Sequence, residues 1–115
     1  MDGQISQIGV EELALRLADR DTPVQLIDVR EPHEVELAHI TGFEVLPLSQ
    51  YEEWSPHIHT RFNPQIETLV MCHHGIRSTQ MCAWLQKMGF TNVKNVAGGI
   101  DAYSVLVDPG VSRYY

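Results

Sequence analysis

Residues 68–78 are Thr-Leu-Val-Met-Cys-His-His-Gly-Ile-Arg-Ser, an apolar run that ends in a cysteine and turns at a glycine toward a helical segment. This pattern predicts a buried strand followed by a helix, the repeating unit of α/β proteins. Backbone N–H groups of the turn and of the helix N-terminus should point at the sulfur of Cys72, which favours the nucleophilic thiolate. Arg77 adds a positive charge that could pair with an oxyanion. The stretch therefore predicts a cysteine nucleophile in an anion-binding loop.

Helical and extended patterns alternate along the rest of the chain. The predicted strands are 24–29, 45–46, 67–71 and 93–96. The predicted helices are 10–19, 32–37, one that begins at the capping-box pattern of Ser49 and is interrupted at Ser55-Pro56, one from Thr79 to a C-cap at Gly89, and 100–107. Residues 108–115 carry little signal.

The alternation of strands and helices predicts an α/β domain. We expect a central, mostly parallel sheet of about five strands with helices on both faces, in a single domain over residues 1–115. Ligands of such sheets bind beyond the carboxyl ends of the strands, and Cys72 lies at such an end. The architecture thus favours a functional role for this cysteine over that of an inert core residue.

The charge balance limits the partners that we expect. Fifteen acidic residues against eight basic ones give a formal charge of −7, which argues against nucleic acid and against an anionic membrane surface. The chain has no apolar run of about 18 residues, and its N-terminus lacks the basic and apolar regions of a signal peptide. We therefore expect a cytoplasmic protein, whose reducing surroundings suit a reactive thiol.

Other residues near the loop have supporting roles in this interpretation. We expect His73 and His74 to line the pocket mouth and to raise its positive potential when protonated. Asp28 and Arg30 follow an apolar strand and should form a structural ion pair, while Ser78 should cap or support the loop. Cys82 shares an apolar stripe with its helix neighbours and is expected to be a buried hydrophobe rather than a resolving cysteine. A metal site that combines the loop with His57 and His59 is possible in principle, but no Cys-x-x-Cys pair or acidic helix motif completes one, so none is predicted.

Three segments resemble the rhodanese-like sulfurtransferases. Cys72 to Ser78 is similar to the active-site loop of that family, Leu26 to Glu36 with His39 to Gly42 looks like its first signature, and Gly98 to Tyr103 looks like its last. One departure is Tyr103, where the family usually has tryptophan. The resemblance implies a rhodanese-like three-layer fold.

The same resemblance implies a chemistry for the loop. Cys72 would be the catalytic residue, taking a sulfane sulfur from a small anionic donor such as thiosulfate as a persulfide. It would pass that sulfur to cyanide, a thiol or a protein acceptor, and no metal or organic cofactor would be required. The substrate-binding residues would be His73, His74, Gly75, Ile76 and Arg77.

Two other functions remain open at this point. A cysteine phosphatase of the cell-cycle dual-specificity type shares this fold, but its loop has five residues between cysteine and arginine where this chain has the four residues 73–76. A non-enzymatic binding or regulatory module is the second alternative, although such modules usually lack the cysteine. The sequence does not identify the physiological donor and acceptor, the oligomeric state, or whether the chain is a whole protein or a domain of a larger one.

Overall fold

The computed structural model describes residues 4–115, and strands and helices alternate along them. The strands are β1 (Ser6–Ile8), β2 (Gln25–Asp28), β3 (Glu44–Val45), β4 (Thr68–Met71) and β5 (Val93–Val96). The α-helices are α1 (Val10–Ala18), α2 (Pro32–Leu37), α3 (Tyr51–Trp54), α4 (Ile58–Arg61), α5 (Ile76–Lys87) and α6 (Gly99–Leu106). No helix within residues 4–115 combines the length and the apolar character needed to cross a bilayer.

The described strands form one parallel sheet in the order β1-β5-β4-β2-β3. β4 lies at the centre, and all four of its residues are buried, as expected for a strand covered on both faces. Asp28 of β2 lies opposite Met71 of β4, so the two strands end side by side. Cys72 therefore leaves the sheet at the same edge as the segment that begins with Val29 and Arg30.

Two hydrophobic clusters cover the two faces of the sheet. Successive β4 residues alternate between them: Val70 packs in the cluster beneath α5, whereas Leu69 and Met71 pack in the cluster beneath α1 and α6. Cys82 lies in the first cluster and is fully buried, in agreement with its predicted role as a small hydrophobe. The predicted three-layer α/β architecture is confirmed.

The structure differs from the predicted strands and helices at several places. Strand β1 was not predicted. Helix α5 begins at Ile76 rather than Thr79, because Gly75 adopts a left-handed φ of 108° and turns the chain directly into the helix. The helix ends at Lys87, with Met88 as its C-cap, and Gly89 follows with a φ of 94°.

The capping box predicted at Ser49 is wrong. Ser49 lies inside a 3₁₀ turn, Leu48–Gln50, and α3 begins only at Tyr51. The Ser49 hydroxyl donates to the Glu31 carboxylate, and its N–H donates to the same carboxylate at 3.2 Å. Because the Ser49 side chain is bonded to Glu31, it does not cap the helix. The predicted interruption at Ser55-Pro56 is present as a 3₁₀ turn between α3 and α4.

Candidate active site

Cys72 follows β4 directly, and its side chain is buried beneath the loop that leads to α5. Its Sγ atom accepts hydrogen bonds from the N–H groups of Gly75, at 3.0 Å, and Ser78, at 3.4 Å. The left-handed conformation of Gly75 turns its N–H back toward the sulfur. The hydrogen bonds that the sequence predicted at this sulfur are therefore in place.

Helix α6 holds the other side of the loop. The N–H of Ile100 donates to the carbonyl of Cys72 at 2.9 Å, and the N–H of Asp101 donates to the carbonyl of His73 at 3.1 Å. Gly99 precedes them with a φ of 63°, and a Cβ atom there would lie 2.4 Å from each of those two carbonyl oxygens. The loop can approach α6 this closely only because residue 99 is a glycine.

Ser78 contacts the sulfur through its side chain as well as its backbone. Its Oγ lies 3.3 Å from Cys72 Sγ and also donates to Oδ1 of Asn95, a buried residue of β5. The sequence indicated a supporting role for Ser78 beside the loop but none for Asn95. The available signal was that Asn95 shares a strand face with the apolar Val93, since a polar side chain buried on that face needs a partner.

Arg77 is bound by a carboxylate. Its Nη1 and Nη2 atoms donate to the two carboxylate oxygens of Glu34, at 2.7 and 2.8 Å. The hydrogen bonds from Arg77 lower the pKa of Glu34 from 4.5 to about 2. This ion pair fixes the arginine and compensates part of its charge, and it explains how a cation is tolerated near the N-terminus of α5. Glu34 was not identified from the sequence, although its position on α2, just beyond the end of β2, places it at the edge of the sheet where Cys72 lies.

The ion pair predicted between Asp28 and Arg30 is present and fully buried. Arg30 Nη2 donates to Asp28 Oδ2 at 2.7 Å, and its Nε donates to Oδ1 at 3.0 Å. The remaining terminal nitrogen, Nη1, donates to the backbone carbonyl of Glu34 at 3.2 Å. Arg30 thus joins the end of β2 to α2, the helix that positions the partner of Arg77.

The C-terminal segment lies against the loop, although the sequence gave it little signal. The Tyr114 hydroxyl donates to Glu34 Oε1 at 2.9 Å and accepts a bond from Arg30 Nη1 at 3.1 Å. Its ring stacks on His73 with centroids 3.9 Å apart. Burial raises the pKa of Tyr114 to about 12, so the hydroxyl keeps its proton at neutral pH. Tyr114 therefore belongs to the same network as Arg77.

The two loop histidines differ in their surroundings. His73 is half-buried between Tyr114 and His74, and burial followed by the neighbouring His74 lowers its pKa. His74 is 56% exposed, with Nδ1 4.0 Å from an Asp101 oxygen. His73 is therefore more often neutral than an exposed histidine, which weakens the positive potential that the sequence led us to expect from it.

The remaining candidate residues lie outside this cluster. The side chain of Ile76, the first residue of α5, is 74% exposed. His59, considered for a metal site, bonds through its ring to the carbonyl of Met88 at 2.7 Å. Among residues 4–115, no group of three or more histidine, cysteine or carboxylate side chains is arranged to hold a metal ion.

The chain is similar to known proteins over most of its length. The family model described as rhodanese-like domain matches residues 10–105. A chloroplastic Arabidopsis thaliana protein, rhodanese-like/PpiC domain-containing protein 12, is 47% identical over 115 residues, covering 96% of this chain but 38% of that protein. An Allochromatium vinosum protein named sulfurtransferase is 32% identical over 100 residues, covering 87% of this chain and 89% of its own length. The crystal structure of a Staphylococcus aureus rhodanese-like domain protein matches with a TM-score of 0.75 and 26% identity, over 96% of this chain and 100% of that one.

Proposed function

The chain belongs to the rhodanese-like domain family, and we propose that it is a sulfurtransferase that carries a sulfane sulfur on Cys72 as a persulfide. The observation that supports this most directly is the position of Sγ at the end of β4, where it accepts hydrogen bonds from the Gly75 and Ser78 N–H groups. These donors stabilise negative charge on sulfur without a metal or cofactor. The Allochromatium relative, which bears the name sulfurtransferase, covers nearly the whole domain.

The reaction has two half-reactions. In the first, the Cys72 thiolate attacks the outer sulfur of the donor. With thiosulfate as donor, its S–S bond breaks, the bonding electrons leave with sulfite, and Cys72 gains an outer sulfur that carries the negative charge. In the second, a thiolate or cyanide attacks that outer sulfur, the bond between it and Sγ breaks, and the electrons return to Sγ. Atoms and charge balance in each half-reaction without an added oxidant.

An anionic donor has a binding group in Arg77. A guanidinium has five N–H donors, and the bidentate pair with Glu34 uses one on each terminal nitrogen. Within residues 4–115 the other three make no hydrogen bond, and in this proposal they bind the oxygens of thiosulfate or the persulfide itself. We propose a small anionic sulfur donor and a thiol or protein acceptor as the partners of this chain.

The test is intact-protein mass spectrometry of the wild type and Cys72→Ser after incubation with thiosulfate and removal of the excess, followed by cyanide. The wild type should gain one sulfur and lose it to cyanide as thiocyanate appears, whereas Cys72→Ser should do neither. Cys82→Ser is the matched control and should behave like the wild type, because burial raises the pKa of Cys82 to about 12 and keeps it a thiol. If thiosulfate, mercaptopyruvate and a desulfurase persulfide all fail to load Cys72, the proposal is wrong and a binding module becomes the better interpretation.

A further inference from the structure

A chain of hydrogen-bonded polar side chains runs from Gln7, which is exposed, through the buried Asn95 and Ser78 to Cys72. Asn95 of β5 is 3% exposed, and its Nδ2 donates to Oε1 of Gln7 on β1 at 2.9 Å. Its Oδ1 accepts from the hydroxyl of Ser78, whose Oγ lies 3.3 Å from Cys72 Sγ. The amide also packs beneath the loop, since a Cβ atom on Gly75 would lie 3.5 Å from Nδ2. The sulfur is thus linked to the edge strand of the sheet through two intervening side chains.

The Ser78 hydroxyl has fewer protons to donate than it has acceptors. A serine hydroxyl has one proton to donate, and here it has two acceptors within reach, Asn95 Oδ1 and Cys72 Sγ. Gln7 engages the Nδ2 side of the amide, which leaves Oδ1, an acceptor only, facing Ser78. When Cys72 is a thiol, both hydrogen bonds form at once, because its S–H can donate to the Ser78 oxygen while the Ser78 hydroxyl donates to Asn95. A thiolate cannot donate, so it competes with Asn95 for the hydroxyl proton.

We propose that Asn95 is a positioning residue that holds the Ser78 hydroxyl proton away from Cys72 and so keeps the sulfur anion less stabilised and more nucleophilic. In the persulfide the negative charge moves to the outer sulfur, so Sγ no longer competes strongly and Asn95 retains the proton. Asn95 therefore favours the loaded state over the free thiolate. The inference rests on the proposed function, because it concerns how readily Cys72 takes up sulfur.

Other charged and titratable groups surround the cysteine and must be kept constant in a test. They are Arg77 and Cys82 on α5, His73 and His74 in the loop, Glu34 on α2, the Asp28 and Arg30 pair after β2, Asp101 on α6 and Tyr114 in the C-terminal segment. Substitutions at Asn95 and Ser78 change none of these groups. For the uncharged substitutions Asn95→Leu and Ser78→Ala, a change in the pH dependence of Cys72 can then be attributed to the hydroxyl proton.

The experiment measures the rate of Cys72 alkylation by iodoacetamide between pH 5 and 10, with the modified site assigned by peptide mass spectrometry. For Asn95→Leu, the freed hydroxyl donates to the thiolate, so the midpoint pH should fall by about 0.5–1 pH unit. The plateau rate at high pH should fall about two- to threefold, since a more stabilised thiolate is a weaker nucleophile. For Asn95→Asp, a charged acceptor holds the proton more strongly and adds a negative charge, so the midpoint should rise.

Opposite shifts from two substitutions at one buried site distinguish positioning from simple damage to the fold. Ser78→Ala supplies the second control, because in that background Asn95→Leu has no hydroxyl proton to release and should leave the midpoint unchanged. Gln7→Ala tests the same chain at an exposed position where folding is not at risk, and should lower the midpoint by less than Asn95→Leu does. Equal midpoints in the wild type, Asn95→Leu and Gln7→Ala would overturn the proposal. Alkylation needs no sulfur donor, so this result is independent of whether sulfur transfer itself is observed.

Discussion

Replacing Glu34 by glutamine removes the charge that holds Arg77 and keeps the shape of the side chain. The hydrogen bonds from Arg77 lower the pKa of Glu34 from 4.5 to about 2 in the folded protein. By linkage, this difference corresponds to about 3 kcal/mol of folding stability at neutral pH. Arg77 is 33% exposed, so solvent screening should reduce the measured effect to about 2 kcal/mol. We expect Glu34→Gln to lower the free energy of unfolding by this amount at pH 7.

The pH dependence gives the sharper test of the same ion pair. Because the folded-state pKa lies below the unfolded one, the stabilisation is complete above about pH 4.5 and is lost as the pH falls through about 2. The difference between the wild type and Glu34→Gln should therefore shrink by about half between pH 5 and pH 3.

Urea unfolding followed by tryptophan fluorescence measures the effect at each pH, with the m value unchanged. Glu36→Gln is the matched control, since Glu36 lies on the same helix but is exposed. A difference below about 0.5 kcal/mol at pH 7, or one that does not vary with pH, would refute the reasoning.

Two further predictions concern the contacts on either side of the loop. Left-handed strain alone would make Gly99→Ala reduce the free energy of unfolding by about 1–2 kcal/mol. We expect a larger reduction, because the new Cβ atom would also meet two loop carbonyls. Gly89→Ala, at a φ of 94° against 63° for Gly99 and with nothing within 4 Å of its Cβ position, measures backbone strain without a clash in the same urea assay, and a cost at Gly99 no larger than at Gly89 would contradict the clash. Tyr114→Ala should raise the pKa of His73 toward its ordinary value by exposing the ring, as followed by NMR titration of the imidazole protons. Tyr115→Ala, at a 95% exposed side chain, should leave that titration unchanged, and an unchanged titration in Tyr114→Ala as well would show that Tyr114 does not shield the histidine.

Local patterns were sufficient to predict the parallel sheet and the position of Cys72 at the carboxyl end of one of its strands. Three consecutive apolar residues, Leu69 to Met71, end strand β4, and Gly75 and the start of a helical pattern follow within a few residues. Strand β1 lacked such a signal, because Ser6 and Gln7 are polar and the strand forms by pairing with β5 at the edge of the sheet. A short edge strand depends on its neighbour more than on its own composition.

The site was less predictable than the fold because its key contacts join distant segments. Taken alone, Glu34 looks like an ordinary surface residue of a short helix. Arg77 likewise looks like an ordinary surface residue in the first turn of a helix. Tyr114 follows irregular chain without any periodicity, yet it contacts residues on α2 and in the loop. Pairings of this kind depend on the tertiary arrangement, and local sequence patterns do not encode them.

The hydrogen bonds from α6 to the loop also make the shape of the loop depend on a distant part of the chain. In a planar trans peptide the N–H points away from the carbonyl. Fixing the carbonyls of Cys72 and His73 therefore also fixes the direction of the N–H groups of His73 and His74. When α6 is not docked, the carbonyls of Cys72 and His73 lack these two hydrogen bonds, and the loop loses its anchor on that side. The conformation of the cysteine loop therefore reports whether a helix that lies beyond β5 in the chain is in place.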